Sequence, residues 1–161
     1  MKVIIGIDDL ACLNEVTNFV LQHEWDKDVE FKLLFSVAPV MMDHPMAAYP
    51  LFLESAVRDA EAAGKKMLAE AAARIEAGFK AKVDAEVAIG LPVPTLVQTA
   101  RDWKADLIIT GSHGRHGLDR FFFGSVSYDV AAHAPCSVLV LRLGANKEKQ
   151  EEPATAAAAS S

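Results

Sequence analysis

The residues with the clearest chemical potential lie in one glycine-rich stretch, TGSHGRHGLDRFFFGS, from Thr110 to Ser125. It precedes a predicted helix, so its amides and the positive end of that helix could face one anion together. Gly111 and Gly114 would permit positive φ and place no Cβ between the backbone and phosphate oxygens. Ser125 and Ser127 add hydroxyl donors, although Ser125 could equally serve only as the helix N-cap. The pattern predicts an anion site built from main-chain N–H groups.

Other chemistries fit the sequence less well. A Walker loop needs GxxxxGK[ST], but Gly117 is followed by Leu and Asp. A dinucleotide fingerprint should follow the first strand, where GIDDLACLN has one glycine and two carboxylates. A nucleophile elbow needs glycine where Thr110 stands. His113, His116 and Asp119 lack the helical face that would aim them at a metal ion, so we assign no metal ligand and no catalytic residue.

Aliphatic runs and amphipathic stretches alternate along the chain, and they predict the strands and helices that must position the glycine-rich stretch. Aliphatic runs predict strands at 3–7, 30–37, 82–89, 106–110 and 137–141, and amphipathic stretches predict helices at about 12–23, 53–77, 94–103 and 125–133. Strands that alternate with helices form right-handed βαβ crossovers and a parallel sheet. The predicted fold class is therefore an open α/β sheet. Ligands bind such a sheet beyond the carboxyl ends of its strands, where the glycine-rich stretch lies.

Composition limits the class of partner. The chain has 161 residues, 52% of them hydrophobic, which favours a single domain. A formal net charge of -6 provides no broad positive field for nucleic acid. The two cysteines, Cys12 and Cys136, suggest neither a disulfide framework nor a zinc site. No apolar run approaches the roughly 20 residues needed to cross a bilayer. We expect a cytoplasmic protein that binds neither nucleic acid nor membrane.

Two segments are expected to be irregular. Residues 38–52 contain three prolines and three methionines, which suit neither a strand nor a helix. This segment could be a connection against the core, a cover over a pocket or part of a subunit contact. Residues 144–161, GANKEKQEEPATAAAASS, have no large apolar side chain to bury and predict a disordered tail. The folded domain is expected to span residues 1–143.

The glycine spacing resembles a family signature. Gly111, two residues, Gly114, nine residues, then Gly124 and Ser125 fit the G-2x-G-9x-G(S/T) motif of the ATP-binding branch of the universal stress protein family. The flanking stretches KVIIGIDD, LLFSVAP and GSVSYDVAAHAPCSVLVL look like the same family. The resemblance implies a five-stranded parallel sheet in the order 3-2-1-4-5. It also implies ATP, or else AMP or ADP, across the carboxyl edge of the sheet, with Mg²⁺ or Mn²⁺ on the phosphates.

The resemblance further implies roles for individual residues. Asp8 looks like the acidic residue on the adenosine side, and the backbone of Val37 looks like the adenine contact. The residues that match the ribose and phosphate loop are Thr110, Gly111, His113, Gly114, Gly124, Ser125, Val126 and Ser127. Asp9 departs from the family, where a small residue commonly stands. This second carboxylate would oppose phosphate unless it points away, helps hold Mg²⁺ or caps the first helix.

The family resemblance implies a stress-response regulator and a homodimer formed through the last strand. The sequence of that strand, SVLVL, is apolar on both faces, and at a sheet edge its unpaired main-chain groups would need a partner. We expect a nucleotide-binding module. Two alternatives stay open: a slow ATPase in which His113 or Asp9 positions water, and a dimeric interaction protein that binds no nucleotide.

Overall fold

Five strands and four helices alternate along the chain. The structure, a computed structural model, describes residues 1–7, 13–38, 50–112 and 124–142, without the side chains of 50–53. The strands are β1 (Lys2–Ile7), β2 (Glu30–Val37), β3 (Lys82–Ile89), β4 (Leu107–Ser112) and β5 (Ser137–Arg142). The helices are α1 (Leu13–Gln22), α2 (Pro50–Phe79), α3 (Pro92–Trp103) and α4 (Ser125–His133).

The strands form one parallel sheet in the order β3-β2-β1-β4-β5. This order confirms the expected open α/β fold. The central strand, β1, pairs with β2 on one side and with β4 on the other, so that Gly6 lies between Leu34 and Thr110. The chain therefore reverses its direction of winding between β1 and β4, which makes their carboxyl ends the topological switch point.

A hydrophobic core lies on each face of the sheet. Helices α1 and α2 cover one face, which we call the α1/α2 side, and α3 and α4 cover the other, the α3/α4 side. Alternate strand residues face opposite cores, as the period of two requires. On β4, for example, Ile109 belongs to the α1/α2 core and Ile108 to the α3/α4 core. Both side chains are fully buried, as expected for a parallel strand covered on both faces.

The helices present apolar stripes at helical spacing. In α1 the buried residues recur every three to four positions along the chain: Leu13, Val16, Thr17 and Val20. In α2, Gly64 is buried because the helix approaches β2 closely there. A Cβ at Gly64 would lie 2.7 Å from Cδ1 of Phe35, so only glycine fits this contact without displacing the ring.

Three predicted boundaries need correction. Helix α2 begins at Pro50, although 50–52 was expected to be irregular, because proline is well suited to the first helical position. Helix α3 begins at Pro92 rather than at 94 for the same reason. Strand β4 runs to Ser112 rather than ending at Thr110, because pairing with β5 continues through Gly111 and Leu141. Residues 39–49 of the expected irregular segment lie outside the described residues, and so does the predicted tail.

Candidate functional site

The candidate site lies at the carboxyl edge of the sheet, beside the switch point between β1 and β4. Strand β1 ends there at Ile7 and β4 at Ser112. Helix α4 starts at the same edge, because it returns antiparallel to β4 before β5 begins. The end of β4 and the first turn of α4 therefore lie at the same edge of the sheet.

The first turn of α4 has main-chain donors without partners. Its N-cap is Gly124, with φ of -57° and ψ of 146°, and no side chain caps it. The N–H of Tyr128 makes the first helical bond, to the carbonyl of Gly124 at 3.0 Å. The amides of Ser125, Val126 and Ser127 consequently have no acceptor within the helix, and they donate to no other described residue.

The two serines of this turn have different positions. Ser125 is exposed and is the first helical residue, so the alternative that it is the N-cap is wrong. Ser127 is buried, with 1% of its surface exposed, and its hydroxyl donates to the carbonyl of Gly124 at 3.2 Å. The hydroxyl of Ser127 is thus already engaged, whereas that of Ser125 faces solvent. Val126 packs against the α3/α4 core and fixes the helix on the sheet.

Helix α3 lacks this property although it begins at the same edge. Its N-cap is Leu91, and Pro92 and Pro94 in its first turn have no N–H group. The N–H of Thr95 donates to the carbonyl of Leu91 at 3.2 Å. Only Val93 is left with an amide outside the helical pattern. Helix α4 therefore offers more main-chain donors to an anion than α3 does.

The end of β4 is more regular than the glycine pattern predicted. Gly111 lies inside the strand opposite Leu141, where extended backbone is the rule, so the expectation of a positive-φ loop position is wrong there. Thr110 is buried at 1% exposure and pairs with Gly6. The hydroxyl of Ser112 donates to the carbonyl of Leu141 at 3.2 Å, which ties β4 to β5 at the edge of the crevice.

The backbone of Val37, the expected adenine contact, is directed toward β3. Its carbonyl accepts a hydrogen bond from the N–H of Gly90 at 3.0 Å. At the start of the same strand, the N–H of Glu30 donates to Met1, beside β1, at 2.9 Å. Because residues of a parallel strand direct their main-chain groups alternately to the two neighbours, those of Ser36 point toward β1. The sequence could not indicate these directions, since only the strand register shows which way a backbone faces.

Asp8, Asp9, His113 and Gly114 lie outside the described residues. Of the ten expected binding residues, the structure thus describes Val37, Thr110, Gly111, Gly124, Ser125, Val126 and Ser127. All of these except Val37 lie on β4 or on the first turn of α4 and its cap.

Charged residues gather at the opposite, amino edge. Lys32 is largely buried in β2, where its ammonium group pairs with Asp84 and, at 3.3 Å, with Glu86. Burial lowers the pKa of Lys32, but hydrogen bonds and attraction from the two carboxylates outweigh it and raise the pKa. Trp103 covers this cluster, with the Lys32 ammonium 5.7 Å from its ring centroid. A cavity of about 320 Å³ beside Trp103 belongs to this network.

Other groups that could do chemistry are limited in the described part of the chain. Burial, and then the charge of Asp106, raise the pKa of the half-buried Cys136 thiol, which disfavours a reactive thiolate. The described residues contain no group of three His, Cys, Asp or Glu side chains that could hold a metal ion. Among the helices described, none is both long and apolar enough to cross a membrane.

The topology and the crevice define an open α/β protein of the adenine nucleotide alpha hydrolase-like fold. The family model "Universal stress protein family" matches residues 1–142. The chain therefore belongs to the universal stress protein family.

Individual relatives agree with this assignment. A universal stress protein of Methanocaldococcus jannaschii is 29% identical over 143 residues, which are 88% of this chain and 81% of that protein. A candidate universal stress protein of Staphylococcus epidermidis is 45% identical over 67 residues. That match spans 41% of this chain and 40% of the relative.

Solved structures share the fold at lower identity. A universal stress protein of Lactobacillus plantarum has a TM-score of 0.69 and 22% identity, covering 88% of this chain and 97% of that one. A family protein of Arabidopsis thaliana with AMP bound has a TM-score of 0.64 and 18% identity, covering 91% and 94%. A universal stress protein in complex with cAMP has a TM-score of 0.55 and 20% identity, covering 88% and 96%.

Proposed function

We propose that this universal stress protein is a nucleotide-binding regulator that holds ATP at the carboxyl edge of its sheet. The observation that carries the proposal is the first turn of α4, where the amides of Ser125, Val126 and Ser127 have no acceptor among the described residues. An uncapped helix N-terminus attracts phosphate through its N–H groups and its dipole together. The AMP and cAMP complexes of the structural relatives support an adenine nucleotide as the ligand.

The proposed placement puts the base at β2 and the phosphates at α4. Adenine would meet the main chain at the end of β2, where Val37 keeps one carbonyl lone pair beyond its bond to Gly90. Asp8 would accept a hydrogen bond from a ribose hydroxyl. The ribose and phosphates would be contacted by Gly111, His113 and Gly114, between the end of β4 and Gly124. Thr110, being buried, would contribute by supporting the end of β4 rather than by its hydroxyl.

A divalent cation would be held mainly by the phosphates. Mg²⁺ retains several waters and commonly binds through substrate phosphates with one or two carboxylates. Mg²⁺ or Mn²⁺ would supply positive charge that offsets the triphosphate in a protein of net charge -6.

We further propose a homodimer through β5. The two edge strands of the sheet differ: β3 carries Lys82, Asp84 and Glu86, which discourage pairing with another chain, whereas β5 has no charged residue before Arg142. Its half-buried residues Val138, Leu139 and Val140 would be covered by a second copy. This contrast favours β5 as the pairing edge.

The experiment is a binding titration of the purified protein with ATP and Mg²⁺, preceded by native mass spectrometry to detect bound nucleotide. We expect adenine nucleotide to bind, and Gly124→Val and Gly114→Val to abolish binding through Cβ crowding while circular dichroism shows an intact fold. Ala131→Val, on the exposed face of α4, is the matched control.

Unchanged affinity in either glycine variant would contradict the phosphate role, and no binding at millimolar ATP would favour an interaction protein without nucleotide. Release of ADP above the level of the Gly114→Val control would indicate the slow ATPase instead of a passive binder.

A further inference from the structure

Among the described residues that end the five strands, only Arg142 is charged. Those strands end at Ile7, Val37, Ile89, Ser112 and Arg142. Arg142 is paired with Ser112 in register, so its Cα lies one strand beyond the end of β4. Arg142 is therefore a cation at the same edge as the proposed nucleotide site.

The side chain of Arg142 lies on the face of the sheet that α4 covers. Along β5, Leu141 packs in the α1/α2 core and Val138 in the α3/α4 core. Alternation places Arg142 with Val138, on the α3/α4 side. Helix α4 packs on β4 and β5 on this side, and its first turn lies at the carboxyl edge. Arg142 and the amides of Ser125–Ser127 are thus on the same face and at the same edge.

Arg142 is exposed, and it makes no ion pair with any residue in the described ranges. A guanidinium group presents a planar set of N–H donors that matches phosphate oxygens in two-point contacts. An arginine on the same face and at the same edge as these helix amides, with no ion-pair partner among the described residues, would strengthen the attraction for phosphate.

Strand order indicates which phosphate Arg142 would meet. With the base at β2, the ligand crosses β1 and β4 before it reaches β5, a distance of about 14 Å at a strand spacing of about 4.8 Å. A monophosphate, whose one phosphate adjoins the ribose, would end near β4 and α4. A triphosphate extends two phosphate groups farther, toward β5.

We infer that Arg142 binds the terminal phosphates of a nucleoside triphosphate and so makes the site prefer ATP to AMP. The inference rests on the proposed function, because it requires a nucleotide in this crevice. It assigns to Arg142 a specificity-determining contact outside the glycine motif. The alternative is that Arg142 only protects the sheet edge from unwanted pairing, as charged edge residues do.

The test compares dissociation constants for AMP, ADP and ATP, each with Mg²⁺, in the wild type, Arg142→Gln and Arg142→Lys. We expect Arg142→Gln to weaken ATP roughly tenfold, ADP less and AMP by less than about twofold, because charge-assisted contacts to the outer phosphates are lost. Arg142→Lys should restore part of the ATP affinity, since it keeps the charge without the planar fork.

Arg101→Gln is the matched control, since Arg101 is exposed in the last turn of α3 at the opposite edge. Native mass measured on each variant shows whether an altered assembly causes the change. Equal losses for ATP and AMP, or no loss in Arg142→Gln while the wild type binds nucleotide, would overturn the role of Arg142 and leave the proposed function intact. A wild type that binds none of the three nucleotides would overturn the proposed function itself.

Discussion

The hydroxyl of Ser127 donates to the main-chain carbonyl of Gly124 at 3.2 Å, across the first turn of α4. This buried bond stabilises the turn from the inside, while Ser125, two positions earlier, keeps its hydroxyl exposed. The turn thus holds its own geometry without using the amides of residues 125–127. The hydroxyl of Ser127 is therefore assigned to stability and the hydroxyl of Ser125 to ligand binding.

Substitution of the two serines should separate these roles. Ser127→Ala should lower the free energy of unfolding by about 1 kcal/mol, because a buried hydrogen bond is lost. Ser125→Ala should change it by less than about 0.5 kcal/mol, as exposed substitutions do, but weaken ATP binding roughly three- to tenfold through the lost phosphate contact. Urea unfolding and calorimetric titration measure the two effects, and the reverse pattern would contradict the assignment.

Replacement of Lys104 by glycine should stabilise the protein. It ends α3 with φ of 54° and ψ of 55°, a left-handed conformation that disfavours residues with a Cβ. Lys104→Gly is expected to raise the free energy of unfolding by about 0.5–1 kcal/mol, the steric relief being partly offset by the flexibility of glycine. Lys104→Ala removes the charge but keeps the Cβ, and a similar gain from it would show that charge rather than conformation is responsible.

Lys32 should make stability fall at alkaline pH. Its carboxylate partners raise the pKa of Lys32 above the ordinary 10.5, so the protonated ammonium is more favoured in the folded state than in the unfolded state. This contribution is complete below pH 10.5 and is lost as pH rises through the folded-state pKa. We expect Lys32→Met to remove that part of the pH dependence in unfolding experiments above pH 10, whereas a curve parallel to the wild type would refute it.

The β5 edge should control assembly. Val140→Lys adds a charge to the edge strand that we propose to pair with a second copy, and it should convert a dimer into a monomer. Ala85→Lys makes the corresponding change on β3, where residue 85 is exposed, and should leave the dimer unchanged. Light scattering after size-exclusion chromatography measures the mass. A monomeric wild type, or a dimer insensitive to Val140→Lys, would exclude β5 as the interface.

Buried parallel strands and amphipathic helices leave strong local patterns, and these predicted the strand set and the helix set. The order of the strands in the sheet was predicted by the family resemblance, and the structure confirms it. The sequence misplaced Gly111, since glycine suggests a turn, while pairing with Leu141 keeps it extended. It also missed the direction of the Val37 backbone, which depends on the bond to Gly90 in another strand. Lys32 lies within β2, and its charge is balanced by Asp84 and Glu86 of β3. Such features arise from register between distant segments and leave no local signal.

The most direct measurement follows the backbone amide resonances of the isotope-labelled protein as ATP and Mg²⁺ are added. If the amides at the start of α4 hold the phosphates, the signals of Ser125, Val126 and Ser127 will shift most among the described residues, and Gly124→Val will abolish the shifts. Saturation with ATP that leaves these three amides unchanged, or that moves only residues near Trp103 at the amino edge, would contradict the proposed site.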